Sequence, residues 1–271
     1  MADTRNRVVI LTAGEIWHRN TCATLLAAGV NVVGICIADQ QTAGLPLKYI
    51  WKSFGRRGFF TTAGQIVGRI YYRLLNRSAD REQQRAIFDE KRIGEVLSAY
   101  AGPMHRTENY SSPETLAWLE SLAPDVLVVH SGYWVGKKVR AMPRKGVVIG
   151  GHPGITPEYR GSHSAFWAIY NGKPEDVGCS VFWLDEGVDT GDLIVQERIP
   201  VTAGDSYFTL GWKGMKRIAE LQAKTVLDFD RGIPIPRMKH ASIPPGSEYP
   251  VPTLLDYLRY RRRQRGAVRA R

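Results

Sequence analysis

The sequence has few cysteines, no long apolar run and no closely spaced glycines in residues 12–18. Its three cysteines, Cys22, Cys36 and Cys179, lack CxxC or Cys/His spacing, so we expect buried, reduced thiols rather than a zinc site or disulfides. No segment reaches the roughly eighteen apolar residues of a membrane span, and the first residues show no signal-peptide pattern. These absences favour a cytoplasmic globular protein without a metal.

Positive charge is in excess and unevenly distributed. The formal net charge is +11, and much of it lies in an arginine-rich tail at residues 259–271. A second basic stretch covers residues 48–77. Such clusters attract anionic ligands, RNA or acidic lipid headgroups, and a solvated tail that only aids solubility is the alternative.

Short apolar runs alternate with segments of helical composition. The runs cover residues 8–11, 31–37, 126–129 and 147–149, and the helical segments cover residues 21–28 and 112–122. Runs that are apolar on both faces are typical of buried parallel strands. The repeat predicts an α/β fold: an open, mostly parallel twisted sheet with helices on both faces. Ser112 and Pro113 predict the start of the second helix.

The predicted domain division falls at residue 205. Residues 1–205 form the α/β domain, which a basic insertion at residues 40–95 interrupts. Residues 206–271 form an extension with a long helix at 207–230, a Pro/Gly-rich segment at 232–252 and the arginine-rich tail.

An amphipathic helix is predicted inside the basic insertion. Arginines at positions 69, 73 and 77 fall between apolar residues that recur at helical spacing. These apolar residues are Ile66, Val67, Ile70, Tyr71, Leu74 and Leu75. We prefer packing of this stripe onto the domain, and contact with a membrane surface or partner is the alternative. Residues 80–98 are charged and predicted to form an exposed helix.

Two glycine-containing turns carry the candidate chemistry. His152 lies in residues 150–161, and Asp189 lies in residues 185–192. One imidazole and one carboxylate in a shared cleft can move a proton during group transfer. Taken singly, His152 is equally explained as a turn histidine and Asp189 as a loop cap.

Together the two turns resemble the folate-dependent formyltransferases, which include methionyl-tRNA, glycinamide ribonucleotide and sugar N-formyltransferases. The family pattern Asn-x-His-x-(Ser/Gly)-x-x-Pro-x-(Tyr/Trp)-Arg-Gly is similar to residues 150–161, and Asp-x-Gly-x-Asp-x-Gly matches residues 185–191. The resemblance runs in fragments from residue 8 to about 201 and is strongest over 146–199. It implies a Rossmann-like formyltransferase fold and an enzyme of one-carbon metabolism.

The resemblance also implies a reaction and a set of site residues. A formyl group moves from N10-formyltetrahydrofolate, as co-substrate, to an amine through a tetrahedral intermediate. His152 then binds the oxyanion or relays the amine's proton, and Asp189 orients the ring. The folate site is implied at Tyr133, Trp134 and Val135, flanked by Asp185, Glu186, Gly187 and Val188. For the aromatic pair, core packing is the alternative.

The acceptor is expected to approach Tyr159, Arg160 and Gly161, where Arg160 either binds an anionic acceptor or supports the loop. The missing phosphate-binding glycines disfavour a purine-pathway acceptor. The Pro/Gly-rich carboxyl-terminal part disfavours the β-barrel of methionyl-tRNA formyltransferases. A small-molecule amine, for example an amino-sugar, is the default acceptor. No specific nucleic acid is expected, a homodimer stays open, and the basic segments leave membrane-surface contact open.

Gly150 stands where the family pattern has an asparagine, whose amide is understood to hold the formyl oxygen. Loss of one such donor typically costs about 10²–10³ in rate. A backbone N–H of Gly150 or Gly151 can replace it, or a side chain of Ser131, His130 or His163. The remaining alternative is a non-catalytic folate-binding protein or a divergent acyl-transfer homologue.

Overall fold

A seven-stranded sheet forms the centre of the molecule in the computed structural model, which describes residues 5–39 and 58–269, with side chains to residue 262. The strands are β1 Val8–Ala13, β2 Val32–Ala38, β3 Met104–Thr107, β4 Val126–His130, β5 Val147–His152, β7 Gly178–Trp183 and β8 Leu193–Arg198. Their order is β3-β2-β1-β4-β5-β7-β8, with β7 antiparallel to its neighbours β5 and β8 and the other pairs parallel. The predicted α/β fold with a mostly parallel sheet is confirmed.

Eight helices accompany the sheet within the described residues. They are α1 Ile16–Ala27, α2 Phe59–Ile87, α3 Glu90–Ser98, α4 Pro113–Leu122, α5 Lys137–Arg140, α6 Ser164–Tyr170, α7 Tyr207–Asp230 and α8 Leu254–Arg269. The predicted start of α4 is confirmed, because the Ser112 hydroxyl accepts a hydrogen bond from Thr115 N at 3.2 Å. Helix α1 begins at Ile16 rather than at residue 21, so the loop after β1 is shorter than predicted.

Apolar side chains alternate between the two faces of the sheet. Val8, Ile10 and Val128 pack with α1 and α7 on one face, whereas Val9 and Leu127 pack with α4 on the other. Burial on both faces explains why these strands are continuous apolar runs. The carboxyl ends of β1, β4 and β5 consequently meet at one edge, where their loops are brought together.

The carboxyl-terminal part is closely packed with the sheet. Helix α7 has the predicted bounds and contributes Ile218, Leu221 and Val226 to the core on one face of the sheet. Residues 232–252 are irregular except for the two-residue strand β9, Glu248–Tyr249, which pairs with β6, Arg160–Gly161. That pairing fixes one end of the turn that holds His152.

The amphipathic helix is present as part of α2, but the prediction that its apolar stripe packs onto the domain is wrong. Its buried positions are Thr62, Gln65, Gly68 and Tyr72. Gly68 lies so close to the start of α8 that a Cβ atom would be 2.8 Å from Leu254 N. The helix therefore docks through its small and polar residues, and most of the apolar residues point away from the domain. Those exposed are Val67, Ile70, Leu74 and Leu75.

Residues 80–98 are not one exposed helix. Helix α2 ends at Ile87, and α3 starts after Asp89, whose side chain accepts from Arg92 N at 3.0 Å. Between them Phe88 is buried with Ile93 in a cluster that includes Trp212 of α7. An apolar residue inside a charged segment thus anchors it to the domain.

Other sequence predictions concern the cysteines, membrane-spanning helices and the two basic segments. Cys22, Cys36 and Cys179 are free and buried, as expected, and burial raises the pKa of each thiol to about 12. Within residues 5–39 and 58–269, no helix is both long and apolar enough to cross a membrane. The basic residues 48–57 and the side chains of the tail from residue 263 lie outside the described part.

Candidate active site

A cavity near the carboxyl edge of the sheet contains His152 and Asp189. It has a volume of about 490 Å³ and is lined by the loops after β4, β5 and β7. His152 Nδ1 lies 3.1 Å from Asp189 Oδ2. Gly161 N also donates to that oxygen, at 3.0 Å. One carboxylate oxygen therefore joins the two turns.

His152 is held at both ring nitrogens. Its Nε2 lies 2.9 Å from Tyr159 O and 2.8 Å from Ser164 Oγ. A carbonyl oxygen only accepts, so Nε2 donates to Tyr159 O, while Nδ1 faces the Asp189 carboxylate. These contacts fix the orientation of the ring and place its Nδ1 side against a carboxylate.

Two glycine positions show why the turn has its sequence. A Cβ atom on Gly154 would lie 2.6 Å from His152 Nε2 and 2.5 Å from Tyr159 O, so only glycine lets the turn close over the ring. A Cβ atom on Gly150 would lie 2.7 Å from Phe182 Cε2. The two residues are paired across β5 and β7, and the aromatic ring fills the space next to the glycine.

The predicted folate residues lie mostly on one wall of this cavity. Tyr133, Trp134 and Val135 line it, and Trp134 is 62% exposed. Asp185, Gly187 and Val188 also line it. Asp185 accepts from Gly187 N at 2.9 Å and from the Thr190 hydroxyl, which shapes the loop. Glu186 is not a lining residue and instead forms an ion pair with Arg140 at 3.0 Å.

The predicted acceptor residues are divided. Gly161 lines the cavity, but Tyr159 and Arg160 are buried behind it. Arg160 donates from Nη1 to Val188 O at 2.8 Å and from Nε to Ser247 Oγ at 3.1 Å. The Tyr159 ring stacks on Tyr249 at a centroid distance of 5.6 Å. Of the two interpretations of Arg160, these contacts favour loop support.

A second histidine, His130, lies at the end of β4 and also lines the cavity. Its Nδ1 contacts the Thr21 hydroxyl, which donates to Trp17 O at 3.2 Å. Its Nε2 is buried and has no hydrogen-bond partner among the described residues. Burial, together with the nearby His18, lowers the pKa of His130 to about 3, so the ring stays neutral.

A smaller cavity of about 190 Å³ adjoins the main one, and the two share Pro153, His163 and Met215. Its walls are largely aromatic. They include Trp17, Tyr207, Phe208 and Trp212. Burial, aided by Arg69, lowers the pKa of His163 to about 4. Among the described residues that line this smaller cavity, none has a charged side chain at neutral pH.

Some site residues were missed by the sequence analysis. Ser164 contacts the catalytic candidate His152 but is not part of a recognisable motif. The contact depends on its position in the first turn of α6. His18 and Met215 line the cavity from α1 and α7. A possible signal for His18 was its place just after β1, at the sheet edge where functional loops gather. Within the described part, no group of three side chains suited to a metal ion occurs.

Comparison with known proteins identifies the family. A family model described as formyl transferase matches residues 74–227, which is more than half of the chain. Methionyl-tRNA formyltransferase of Synechococcus sp. (strain JA-3-3Ab) is 38% identical over 128 residues, covering 46% of this chain and 39% of that protein. Methionyl-tRNA formyltransferase of Halothermothrix orenii is 34% identical over 137 residues, which cover 50% of this chain and 42% of that protein. The chain thus matches about two fifths of the length of these relatives.

Solved structures agree on the fold. A sugar N-formyltransferase from Shewanella sp. superposes with a TM-score of 0.55 at 14% identity, covering 95% of this chain and 87% of that one. A phosphoribosylglycinamide formyltransferase from Anaplasma phagocytophilum superposes with a TM-score of 0.56 at 14% identity. The match covers 84% of this chain and 88% of that one. The resemblance predicted from the two motifs is confirmed, and this chain belongs to the formyl transferase family.

Proposed function

We propose that this protein transfers a formyl group from N10-formyltetrahydrofolate to the amine of a small-molecule acceptor. The main support is the 3.1 Å contact between His152 Nδ1 and Asp189 Oδ2 inside the cavity of about 490 Å³. A proton-bearing imidazole next to a carboxylate is suited to a reaction that generates an oxyanion and releases a proton.

His152 and Asp189 have separate tasks in this proposal. The amine nitrogen bonds to the formyl carbon, the C–N10 bond then breaks, and the amine loses a proton while N10 gains one. His152 donates a hydrogen bond to the developing oxyanion. The formyl oxygen then shares a ring N–H with a protein oxygen that already contacts that nitrogen. Asp189 orients the ring, and its Oδ1 receives the amine's proton directly or through water.

The folate is proposed to bind along Tyr133, Trp134 and Val135, opposite Asp185–Val188. Cofactor sites are concave and mostly apolar with a few polar groups, and this wall has that composition. Exposed Trp134 supplies a flat surface for a pterin ring. A bound folate should therefore change the fluorescence of this residue.

The acceptor is proposed to enter from the smaller aromatic cavity. The residues that line this cavity carry no charge suited to a phosphate, whereas Trp17, Phe208 and Trp212 offer flat apolar surface. Such walls suit the apolar face of a sugar ring or an aliphatic group next to the reacting amine. This composition favours an amino-sugar or apolar amine over a small phosphorylated acceptor.

Two measurements test the proposal. A folate analogue should quench the fluorescence of the wild-type chain, and Trp134→Phe should remove most of that change. Trp118→Phe is the matched control, because Trp118 stacks on His105 outside the cavity. Tetrahydrofolate release should then require both N10-formyltetrahydrofolate and an amine from an amino-sugar panel. Failure of the analogue to bind at millimolar concentration would reject the folate assignment.

A second function is supported by Gly150 and Phe182. The phenyl ring occupies the space next to the position where the family resemblance expects an asparagine amide. A protein without that amide can bind folate and yet be inactive. Folate binding without tetrahydrofolate release in the wild type, together with release gained in Gly150→Asn/Phe182→Val, favours this alternative.

A further inference from the structure

Helix α2 exposes an unusual number of large apolar side chains. Phe60 is 89% exposed, Leu74 81%, Ile70 53% and Val67 47%. Their spacing of seven, three and four residues places them on one side of the helix, which we call the outer stripe. At 1.5 Å per residue, it extends over about 21 Å. Monomeric proteins rarely expose apolar surface in such a row without a binding role.

The opposite side of α2 is firmly attached to the protein. Gln65 Nε2 donates to Val251 O at 2.9 Å, and Gly68 contacts the start of α8. The Tyr72 ring packs at 4.7 Å from Tyr207 and at 5.7 Å from Tyr257. The helix therefore has a fixed orientation, and its apolar outer stripe cannot turn inward without breaking these contacts.

The charges around the outer stripe all have one sign. Between Phe59 and Ala79 the helix has three arginines, at 69, 73 and 77, and no acidic residue. Arg73 and Arg77 are exposed along one side of the stripe, whereas exposed Arg69 lies toward the attached side of the helix, near His163. The neighbouring helix α8 exposes Leu255 and Leu258 together with Arg259 and Arg262. Apolar side chains are thus repeatedly combined with arginine on this part of the surface.

This combination selects one kind of partner. A second copy of the chain would bring like-charged arginines together, and a nucleic acid would leave the apolar side chains exposed to water. An anionic bilayer accepts both, since apolar side chains enter the headgroup–acyl boundary while arginines meet the phosphates. We infer that the outer stripe of α2 is a docking surface for a membrane rich in anionic lipid, with α2 lying parallel to the bilayer.

Vesicle co-sedimentation of the full chain tests this inference. Vesicles with equal amounts of phosphatidylglycerol and phosphatidylcholine should bind the protein, and vesicles of phosphatidylcholine alone should bind it far less. Phe60→Ser/Leu74→Ser should weaken partitioning by about tenfold or more, because two apolar side chains no longer leave water. Arg73→Gln/Arg77→Gln should weaken it by about twenty-fivefold, at roughly fivefold per arginine.

Matched controls separate this surface from general charge and hydrophobicity. Met104→Ser removes another exposed apolar residue, and Lys91→Gln/Arg92→Gln/Lys239→Gln removes three exposed charges elsewhere. Both controls should bind like the wild type. Equal loss in test and control variants, or no binding to anionic vesicles, overturns the inference. So does a dimer in solution that Phe60→Ser/Leu74→Ser dissociates, because the stripe would then be an interface between copies.

Discussion

Two buried histidines line the same cavity in different electrostatic surroundings. His152 has a carboxylate at Nδ1 and two oxygens at Nε2. His130 has a threonine hydroxyl at Nδ1 and no partner at Nε2 within the described residues. Both rings are almost fully removed from solvent. The two rings thus differ in their partners: burial together with His18 lowers the pKa of His130, whereas a carboxylate contacts Nδ1 of His152.

The largest expected effect follows from removing that carboxylate or its ring. Asp189→Asn and His152→Asn should each lower kcat/KM for formyl transfer by about 10²–10⁴, the usual contribution of a positioned proton-transfer group. His130→Asn should lower kcat/KM by only about tenfold, an effect comparable to the loss of one hydrogen bond. Steady-state kinetics of tetrahydrofolate release give these values, with His105→Asn as the control outside the cavity.

The size of the His130→Asn effect also sharpens the comparison. A loss of about 10²–10³ would mean that His130 supplies the oxyanion contact expected of the family asparagine. Activity of Asp189→Asn equal to that of the wild type would refute the proposed role of the dyad.

The next effect concerns stability at low pH. The folded-state pKa of His130 is about 3, below the ordinary value of 6.5, so the unfolded chain binds this proton first as the pH falls. Stability is therefore full above pH 6.5 and decreases as the pH falls toward 3. At pH 4.5 the loss is on the order of 3 kcal/mol. Urea unfolding at pH 7, 5.5 and 4.5 measures it.

His130→Asn should flatten this pH dependence, because an amide does not titrate in this range. Some slope should persist from His163, whose folded-state pKa is about 4. Ser98→Ala, which removes no titrating group, should keep the wild-type slope. An unchanged slope in His130→Asn would show that the ring takes up a proton as readily in the folded state as in the unfolded chain.

A smaller effect is expected when the missing amide is added back. Gly150→Asn places a side chain against Phe182, and such overpacking typically costs about 1–3 kcal/mol of unfolding free energy. Phe182→Val in the same chain should recover part of this loss, giving a coupling energy in a double-mutant cycle. Chemical denaturation of the four proteins measures the coupling. Additive effects would mean that the asparagine does not meet the ring.

Local patterns predicted β1, β2, β4 and β5, the α4 cap and the bounds of α7, because these depend on neighbouring residues, but β3 and β7 were not predicted. The sequence could also place His152 and Asp189 in two turns, since the family motifs include both. It could not place Phe182 across from Gly150, because the β5–β7 register depends on the tertiary fold. Nor could it orient α2. The spacing of apolar residues identifies a stripe, but it does not show that the side with Gly68 and Tyr72 is the one that packs on the domain.

The smallest effect on kcat/KM is expected when one of the contacts to the His152 ring, the Ser164 hydroxyl, is removed. Ser164 Oγ lies 2.8 Å from Nε2, which also has Tyr159 O as an acceptor, so Ser164→Ala leaves the ring held but removes one contact. We expect a fall in kcat/KM of about threefold to tenfold, the value of a single net hydrogen bond. Ser98→Ala, at an exposed helix end, should have no effect. A loss as large as that of Asp189→Asn would mean that Nε2, rather than the carboxylate side of the ring, controls the reaction.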